Sequence, residues 1–226
     1  MHPLDRPVWA SLTSHMAAWA EGGPLALRFQ RDVQGLASAA DDSAAAAQAL
    51  ADLVRPGEQV YIVQATALQV PPGLVALKAA PALQMLGTVA ATDTGDTHDV
   101  LELGDADAPE MVALAQLTRP GPFKARTHRL GRFIGVRHQG RLVAMAGERM
   151  RQPGFTEVSG VCTHPSCRGQ GLARRLSALV AAHIRARGEQ PYLHVWADNT
   201  AAIALYESLG FRVRATVNVA QLECPA

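Results

Sequence analysis

The chain has 226 residues, of which 48% are hydrophobic and 18% are charged. This length fits one large or two small globular domains, and the composition favours a globular over a disordered chain. The 21 Lys and Arg residues balance the 20 Asp and Glu residues to a net charge of +1, so general attraction to nucleic acid or anionic membranes is excluded.

Three cysteines, Cys162, Cys167 and Cys224, are too few and too scattered for a disulfide framework. No stretch reaches the roughly 18 apolar residues that a membrane helix needs. The start Met-His-Pro-Leu-Asp-Arg lacks the features of a secretory signal. We therefore expect a cytoplasmic protein without a membrane or nucleic-acid partner, and the sequence leaves both a monomer and a homodimer open.

The first half predicts a small α/β region. Apolar spacing, turn residues and β-branched runs indicate, in chain order, a helix over Val8–Ala20, a strand over Leu25–Phe29, a helix over Ser43–Val54, a strand over Val60–Val63 and an apolar segment ending at Leu86. The polar stretch Ala91–Thr97 predicts a linker. We therefore divide the chain into regions 1–95 and 96–226. Whether the first is a degenerate copy of the second is left open.

The second half predicts a longer alternation of strands and helices. The elements are a strand over Val100–Leu103, a helix over Pro109–Leu117, strands over Arg132–Arg137, Arg141–Met150 and Phe155–Thr163, an amphipathic helix over Leu172–Arg187, a strand over Tyr192–Trp196, a helix over Asn199–Leu209 and a strand over Phe211–Val219. This order predicts an α/β fold with a mixed sheet.

A glycine-rich turn joins the strand that ends at Thr163 to the amphipathic helix. It reads Arg168-Gly169-Gln170-Gly171-Leu172-Ala173. The first amides of a helix lack internal partners, and glycine lets an anion approach the backbone, so the turn is suited to a phosphate or pyrophosphate. Arg174 stands where a dinucleotide fingerprint needs its third glycine, and the Gly-Lys-Ser/Thr of a P-loop is absent. A turn without a ligand is the alternative.

Two motifs resemble the GNAT superfamily of N-acetyltransferases. Residues 168–173 fit the [QR]-x-x-G-x-[GA] signature, and Val161-Cys162-Thr163-His164-Pro165 resembles its V-x-x-x-P-type lead-in. The segment Asn199–Phe211 resembles the N-x-x-A-x-x-L-Y-x-x-x-G-F helix. The resemblance covers about Asp99–Val219. It implies a GNAT domain over 96–226, with a mixed, mostly antiparallel central sheet flanked by helices (α+β in some schemes).

The resemblance also implies a cosubstrate and a set of contacts. Acetyl-CoA would place its pyrophosphate on the turn and its pantetheine arm between the strands Phe155–Thr163 and Tyr192–Trp196. The implied cofactor contacts are Val161, Cys162, Thr163, Arg168, Gly169, Gln170, Gly171, Leu172, Ala173, Asn199 and Ala202. A backbone amide near Val161 would polarise the thioester carbonyl.

For catalysis, the resemblance implies Tyr206 as the acid that protonates the leaving thiolate and Glu157 as the base for the amine. The acceptor would be a small-molecule or peptide amine. Each residue has a structural alternative: Tyr206 as half-buried packing, Glu157 as an exposed or paired strand carboxylate, and Asn199 as a helix cap. A CoA-binding regulatory or scaffold module without turnover is the alternative function.

Other polar patterns favour structural interpretations. Cys162-x-His164-x-x-Cys167 lacks the second pair of ligands that structural zinc needs, so we expect no metal. A nucleophilic Cys162 would need a histidine partner in space. The basic run Lys124, Arg126, His128, Arg129 and Arg132 is expected to be a solvated face, with the steering of an acidic substrate or of the cofactor phosphates as the alternative.

Overall fold

The computed structural model describes residues 2–88 and 97–226. In chain order the elements are α1 Pro7–Leu12, β1 Ala20–Gly22, β2 Ala26–Phe29, β3 Ala37–Ala39, α2 Ala44–Asp52, β4 Gln59–Gln64, β5 Val75–Gly87, β6 Val100–Leu103, α3 Ala108–Thr118, β7 Phe133–His138, β8 Arg141–Gln152, β9 Phe155–Thr163, α4 Leu172–Ala186, β10 Gln190–Trp196, α5 Thr200–Ser208 and β11 Phe211–Glu223.

A central sheet of eight strands has the order β4-β11-β5-β10-β9-β8-β7-β6, and β1, β2 and β3 form a separate small sheet. In the central sheet β9 pairs with β10 in parallel, and each other pair of described neighbours is antiparallel. The predicted mixed, mostly antiparallel sheet is confirmed.

The central sheet draws strands from both halves of the chain. Strand β5 lies between β10 and β11, and β4 pairs with the outer edge of β11. The structure does not describe residues 89–96. The linker predicted at Ala91–Thr97 therefore lies outside the described residues, except for Thr97. The division into regions 1–95 and 96–226 stays a prediction.

Helix α4 covers one face of the central sheet, as its apolar spacing predicts. Leu176 and Ile184 are fully buried and Val180 is 3% exposed, in one cluster with side chains of β7 to β10. The opposite face is covered by α1, which packs in a cluster with Met150 of β8 and Val217 of β11. The sheet is therefore enclosed between a C-terminal helical layer and a largely N-terminal one.

The first helix is shorter than predicted, because polar side chains compete for its backbone. The expected helix over Val8–Ala20 ends at Leu12, and a separate 3-10 turn covers Ala17–Trp19. The hydroxyl of Thr13 donates to the Trp9 carbonyl at 2.8 Å, and that of Ser14 donates to the Ala10 carbonyl. Such side-chain bonds offer helical carbonyls an alternative to the next turn.

Within the described ranges, no helix combines the length and the apolar character needed to cross a membrane.

Candidate active site

Strands β9 and β10 separate part-way along their length. They pair from Phe155 with Gln190 to Glu157 with Tyr192, and no pairing continues from there to Thr163. Because the strands are parallel, the gap opens at their carboxyl ends, where the glycine-rich turn and α5 also lie. We call this gap the fork.

A β-bulge shapes β9 inside the fork. Ser159 pairs with Gly147 and Cys162 with Met145, so Gly160 and Val161 together face the single residue between those partners. Gly160 has φ +64°, and a Cβ there would lie 2.9 Å from Phe133 Cε1. Both constraints favour glycine. A bulge leaves its extra residue without a ladder partner, so this backbone is available to a ligand.

The glycine-rich turn presents amides that lack partners. The Arg175 amide donates to the Gly171 carbonyl at 3.0 Å, whereas no acceptor for the amides of residues 169–174 is found in the described part of the chain. Gly171 has φ +75°, and a Cβ there would meet no atom within 4 Å. A cavity of 340 Å³ opens beside the turn, with Gln170 and Leu172 among its lining residues. The turn therefore fits a phosphate or pyrophosphate.

Tyr206 lies on α5, 9% exposed, with its ring edge-on to Phe211 at 6.0 Å between centroids. Burial first, and then the nearby Cys162 thiol, raise the pKa of Tyr206 to about 12. The hydroxyl therefore keeps its proton at neutral pH, which an acid needs. The packing interpretation also holds, since the ring belongs to the core under α4.

Asn199 is the N-cap of α5. Its side-chain oxygen accepts from the Ala202 amide at 3.2 Å, which confirms the cap interpretation. Asn199 is exposed and Ala202 is partly buried. Both follow the carboxyl end of β10, so they lie at the open end of the fork.

Glu157 lies at the closed end of the fork and is 1% exposed. Its two carboxylate oxygens accept from Nε and Nη2 of Arg149, both at 2.7 Å, and Nδ1 of His194 lies 2.8 Å from Oε1. Burial opposes ionisation, but the charge of Arg149 and the bonds from both partners outweigh it. They lower the pKa of Glu157 to about 2. Of the two structural alternatives for Glu157, the paired carboxylate is confirmed and the exposed one is wrong, because the side chain is buried against Arg149.

This pair belongs to a polar row across five neighbouring strands, from β8 to β11. The row consists of Arg149, Glu157, His194, Gln84 and Arg214. Sequence patterns did not predict it, because adjacency across strands depends on the insertion of β5 between β10 and β11. Within the row Arg149 pairs with Glu157, and at its other end Arg214 pairs with Asp5 of the N-terminal region.

The row determines which nitrogen of His194 carries the proton. Gln84 Oε1 accepts from Arg214 Nη1 at 2.7 Å, and Gln84 Nε2 donates to the Leu4 carbonyl at 2.9 Å, so the amide orientation is unambiguous. Gln84 Nε2 also lies 3.0 Å from His194 Nε2, which must therefore accept. Neutral His194 thus carries its proton on Nδ1 and donates it to Glu157.

The cysteine nucleophile and the metal site considered from the sequence find no support in the geometry of the described residues. Burial raises the pKa of Cys162 to about 11, so its thiol is a poor nucleophile. No group of three or more His, Cys, Asp or Glu side chains within residues 2–88 and 97–226 is arranged to hold a metal ion.

The basic run is largely engaged in ion pairs. Arg126 pairs with Asp32, Arg132 pairs with Glu102, and both His128 and Arg129 contact Asp105. The expected solvated face is wrong for His128, which is 7% exposed, because the ring packs inward while its Nε2 contacts Asp105.

Comparison with known proteins shows which family has this arrangement of strands and helices. A family model described as FR47-like protein matches residues 133–219. The crystal structure of a GNAT-family protein from Novosphingobium aromaticivorans is 44% identical, with a TM-score of 0.92 over 99% of this chain and 99% of that chain.

Two curated relatives match shorter segments. A mycothiol acetyltransferase from Thermobispora bispora is 52% identical over 64 residues, which cover 28% of this chain and 21% of that protein. The N-alpha-acetyltransferase RimI from Mycobacterium tuberculosis is 42% identical over 83 residues, which cover 35% of this chain and 51% of that protein. The matched segments thus span between a fifth and a half of these relatives.

The fold shared with the Novosphingobium structure and the names of these relatives define the chain as an acyltransferase. The chain belongs to the GNAT family, whose acetyltransferases use acetyl-CoA as cosubstrate.

Proposed function

We propose that this chain transfers an acetyl group from acetyl-CoA to a primary amine by direct attack in a ternary complex. The observation that carries the proposal is the fork between β9 and β10, with unpartnered amides at one end and the Tyr206 side chain packed on α5 beside it. The names of the two curated relatives point to different acceptors, and each match is partial, so the acceptor is not taken from them.

The cofactor contacts proposed for this chain follow the fork. The amides of residues 169–174 would bind the pyrophosphate, with the charge of exposed Arg168 and the dipole of α4 adding attraction. The bulge around Val161, and the backbone of Cys162 and Thr163, would hold the pantetheine arm on one side. Asn199 and Ala202 would contact it from the other.

The reaction then needs one bond formed and one broken. The amine nitrogen attacks the thioester carbonyl, the C–N bond forms and the C–S bond breaks. Tyr206 gives its proton to the leaving thiolate and recovers one from solvent, while the proton of the amine passes to water at the mouth of the fork. An amide at the bulge would stabilise the carbonyl oxygen as it gains charge.

For Glu157 we propose positioning in place of proton abstraction. A general base works best when its pKa lies near the working pH, and this carboxylate has a pKa of about 2 with both oxygens occupied. Glu157 would instead hold Arg149 and His194 at the closed end of the fork. The base role predicted from the sequence is not tested by these contacts.

For residues 1–95 we propose a structural role. Strand β5 fills the place between β10 and β11, and the Leu4 carbonyl and the Asp5 carboxylate bind two members of the polar row. This region would complete the sheet and cover its acceptor side.

A thiol-release screen tests the function. Acetyl-CoA is incubated with the protein and a panel of primary amines, and CoA release above the rate without protein is expected for at least one amine class. Tight cofactor binding with no release for any amine would contradict the proposal and favour a non-catalytic CoA-binding module.

Replacing Gly171 with leucine tests the pyrophosphate contact. The added side chain would obstruct the approach to the amides, so we expect acetyl-CoA affinity to fall at least about tenfold by calorimetry, which is about 1.4 kcal/mol. Gly188→Leu is the matched control, because Gly188 has φ +79° and equally open surroundings but lies beyond the other end of α4. Both variants carry similar left-handed strain, of about 1–2 kcal/mol. Equal affinities in the two variants would contradict the assignment.

A further inference from the structure

Arg149 has hydrogen-bond donors that its partner does not use. Its Nε and Nη2 donate to the two carboxylate oxygens of Glu157, and no partner for Nη1 is found among the described residues. The side chain is 11% exposed. Nη1 has no partner and is not fully buried, so solvent reaches it. A guanidinium has five N–H donors, and a second carboxylate can therefore bind on the Nη1 side.

The Nη1 atom faces the segment Arg119-Pro120-Gly121-Pro122-Phe123-Lys124. A Cβ on Gly121 would lie 4.0 Å from Nη1, at ordinary contact distance, so this glycine borders Nη1 without a side chain over it. Gly121 has φ +131°, a conformation that favours glycine. The prolines on both sides restrict the backbone, so the segment is a preorganised wall of this space.

The same segment reaches the bulge in the fork. A Cβ on Gly160 would lie 3.7 Å from Phe123 Cε2, and the ring of Phe123 meets that of Phe133 edge-on, with centroids 5.6 Å apart. Residues 119–124 thus extend from the bulge to Arg149 on the face of the sheet away from α4. We call the space between this segment and the fork the acceptor mouth.

The segment of residues 119–124 carries positive charge that no carboxylate among the described residues neutralises. Arg119 and Lys124 are exposed, and no carboxylate of the described residues lies within 4.0 Å of either. The negative charge of Glu157 is buried and directed at Nε and Nη2 of Arg149, away from the mouth. The segment that borders Nη1 of Arg149 therefore adds positive charge to that of the guanidinium.

We propose that the acceptor is a small primary amine that carries a carboxylate, and that this carboxylate binds Nη1 of Arg149 in the acceptor mouth. The inference rests on the proposed function, because it names the substrate class of the same site. Arg149 is thus a specificity-determining residue, with Glu157 fixing the plane of its guanidinium. The amine of such a molecule would extend from the carboxylate toward the bulge.

Titration of matched acid and amide pairs tests the inference without turnover. The protein, saturated with CoA, is titrated by calorimetry with glycine, β-alanine and γ-aminobutyrate, and with the carboxamide of each. At least one acid should bind about 10- to 100-fold more tightly than its amide, the range expected for a charge-assisted hydrogen bond. Equal affinity within every pair, or no binding of any acid, would overturn the inference.

Arg149→Lys supplies the matched variant. The variant keeps the positive charge but loses the planar guanidinium and its Nη1 donor. The affinity for the acid should therefore fall to that for the amide, and the affinity for the amide should stay unchanged. Arg151→Lys is the control, because Arg151 lies on β8 like Arg149 and also pairs with a carboxylate, that of Glu189. It should leave the preference intact. If Arg149→Lys does not fold, the acid–amide comparison in the unaltered protein still decides.

The outcome separates the inference from the function that it deepens. Selective acid binding without CoA release from acetyl-CoA would contradict the proposed function and leave the carboxylate site standing. Turnover that is equally fast with acids and amides would overturn the carboxylate site alone.

Discussion

Tyr206→Phe should lower kcat about 100- to 1,000-fold while changing the affinity for acetyl-CoA less than twofold. The substitution removes the proton that we propose for the leaving thiolate but keeps the ring against Phe211. No hydrogen bond of the Tyr206 hydroxyl is found in the described part of the chain, so its removal should leave the free energy of unfolding nearly unchanged.

Steady-state kinetics with the best amine from the screen measure this effect. Tyr61→Phe is the control, because Tyr61 is another partly buried tyrosine, on β4 at the far edge of the sheet. An unchanged kcat in Tyr206→Phe would remove this residue from the acid role and leave only its packing role.

Glu157→Gln should lower the free energy of unfolding by about 3 kcal/mol, the usual cost of removing one partner from a buried ion pair. The variant leaves the Arg149 charge without compensation and disturbs the bond to His194. Glu102→Gln is the control, because the pair between Glu102 and Arg132 is exposed and should contribute less than about 1 kcal/mol. Urea denaturation of both variants measures the difference.

The same carboxylate predicts how stability depends on pH. Its folded-state pKa is lowered from 4.5 to about 2, so its contribution is fully present above pH 4.5 and is lost as pH falls toward 2. The shift corresponds to about 3 kcal/mol. The gap in stability between the unaltered protein and Glu157→Gln should therefore close across this range. A gap that stays constant down to pH 2 would contradict the assignment.

Local patterns predicted the parts of the site that lie on one stretch of chain. The turn from Arg168 to Ala173 and the cap at Asn199 follow from backbone chemistry within a few residues, and the structure places both at the open end of the fork. The apolar spacing of α4 was equally informative, because a helix that packs on a sheet needs one apolar face.

Features that depend on long-range pairing were not predictable in this way. Nothing near Gln84 indicates that β5 inserts between β10 and β11 and brings this amide to His194. The role of Arg149 depends likewise on Glu157 across a bulge and on Gly121 from a distant loop. The helix ending at Leu12 shows a smaller effect of the same kind, since apolar spacing alone ignored the hydroxyls of Thr13 and Ser14.

Titration of the unaltered protein with acetyl-CoA by calorimetry tests the central claim most directly. We expect one molecule bound per chain, with a dissociation constant between about 1 μM and 1 mM, the usual range for enzyme substrates. An absence of binding heat at millimolar acetyl-CoA, with the protein folded, would contradict the assignment of the fork and its glycine-rich turn as the cofactor site.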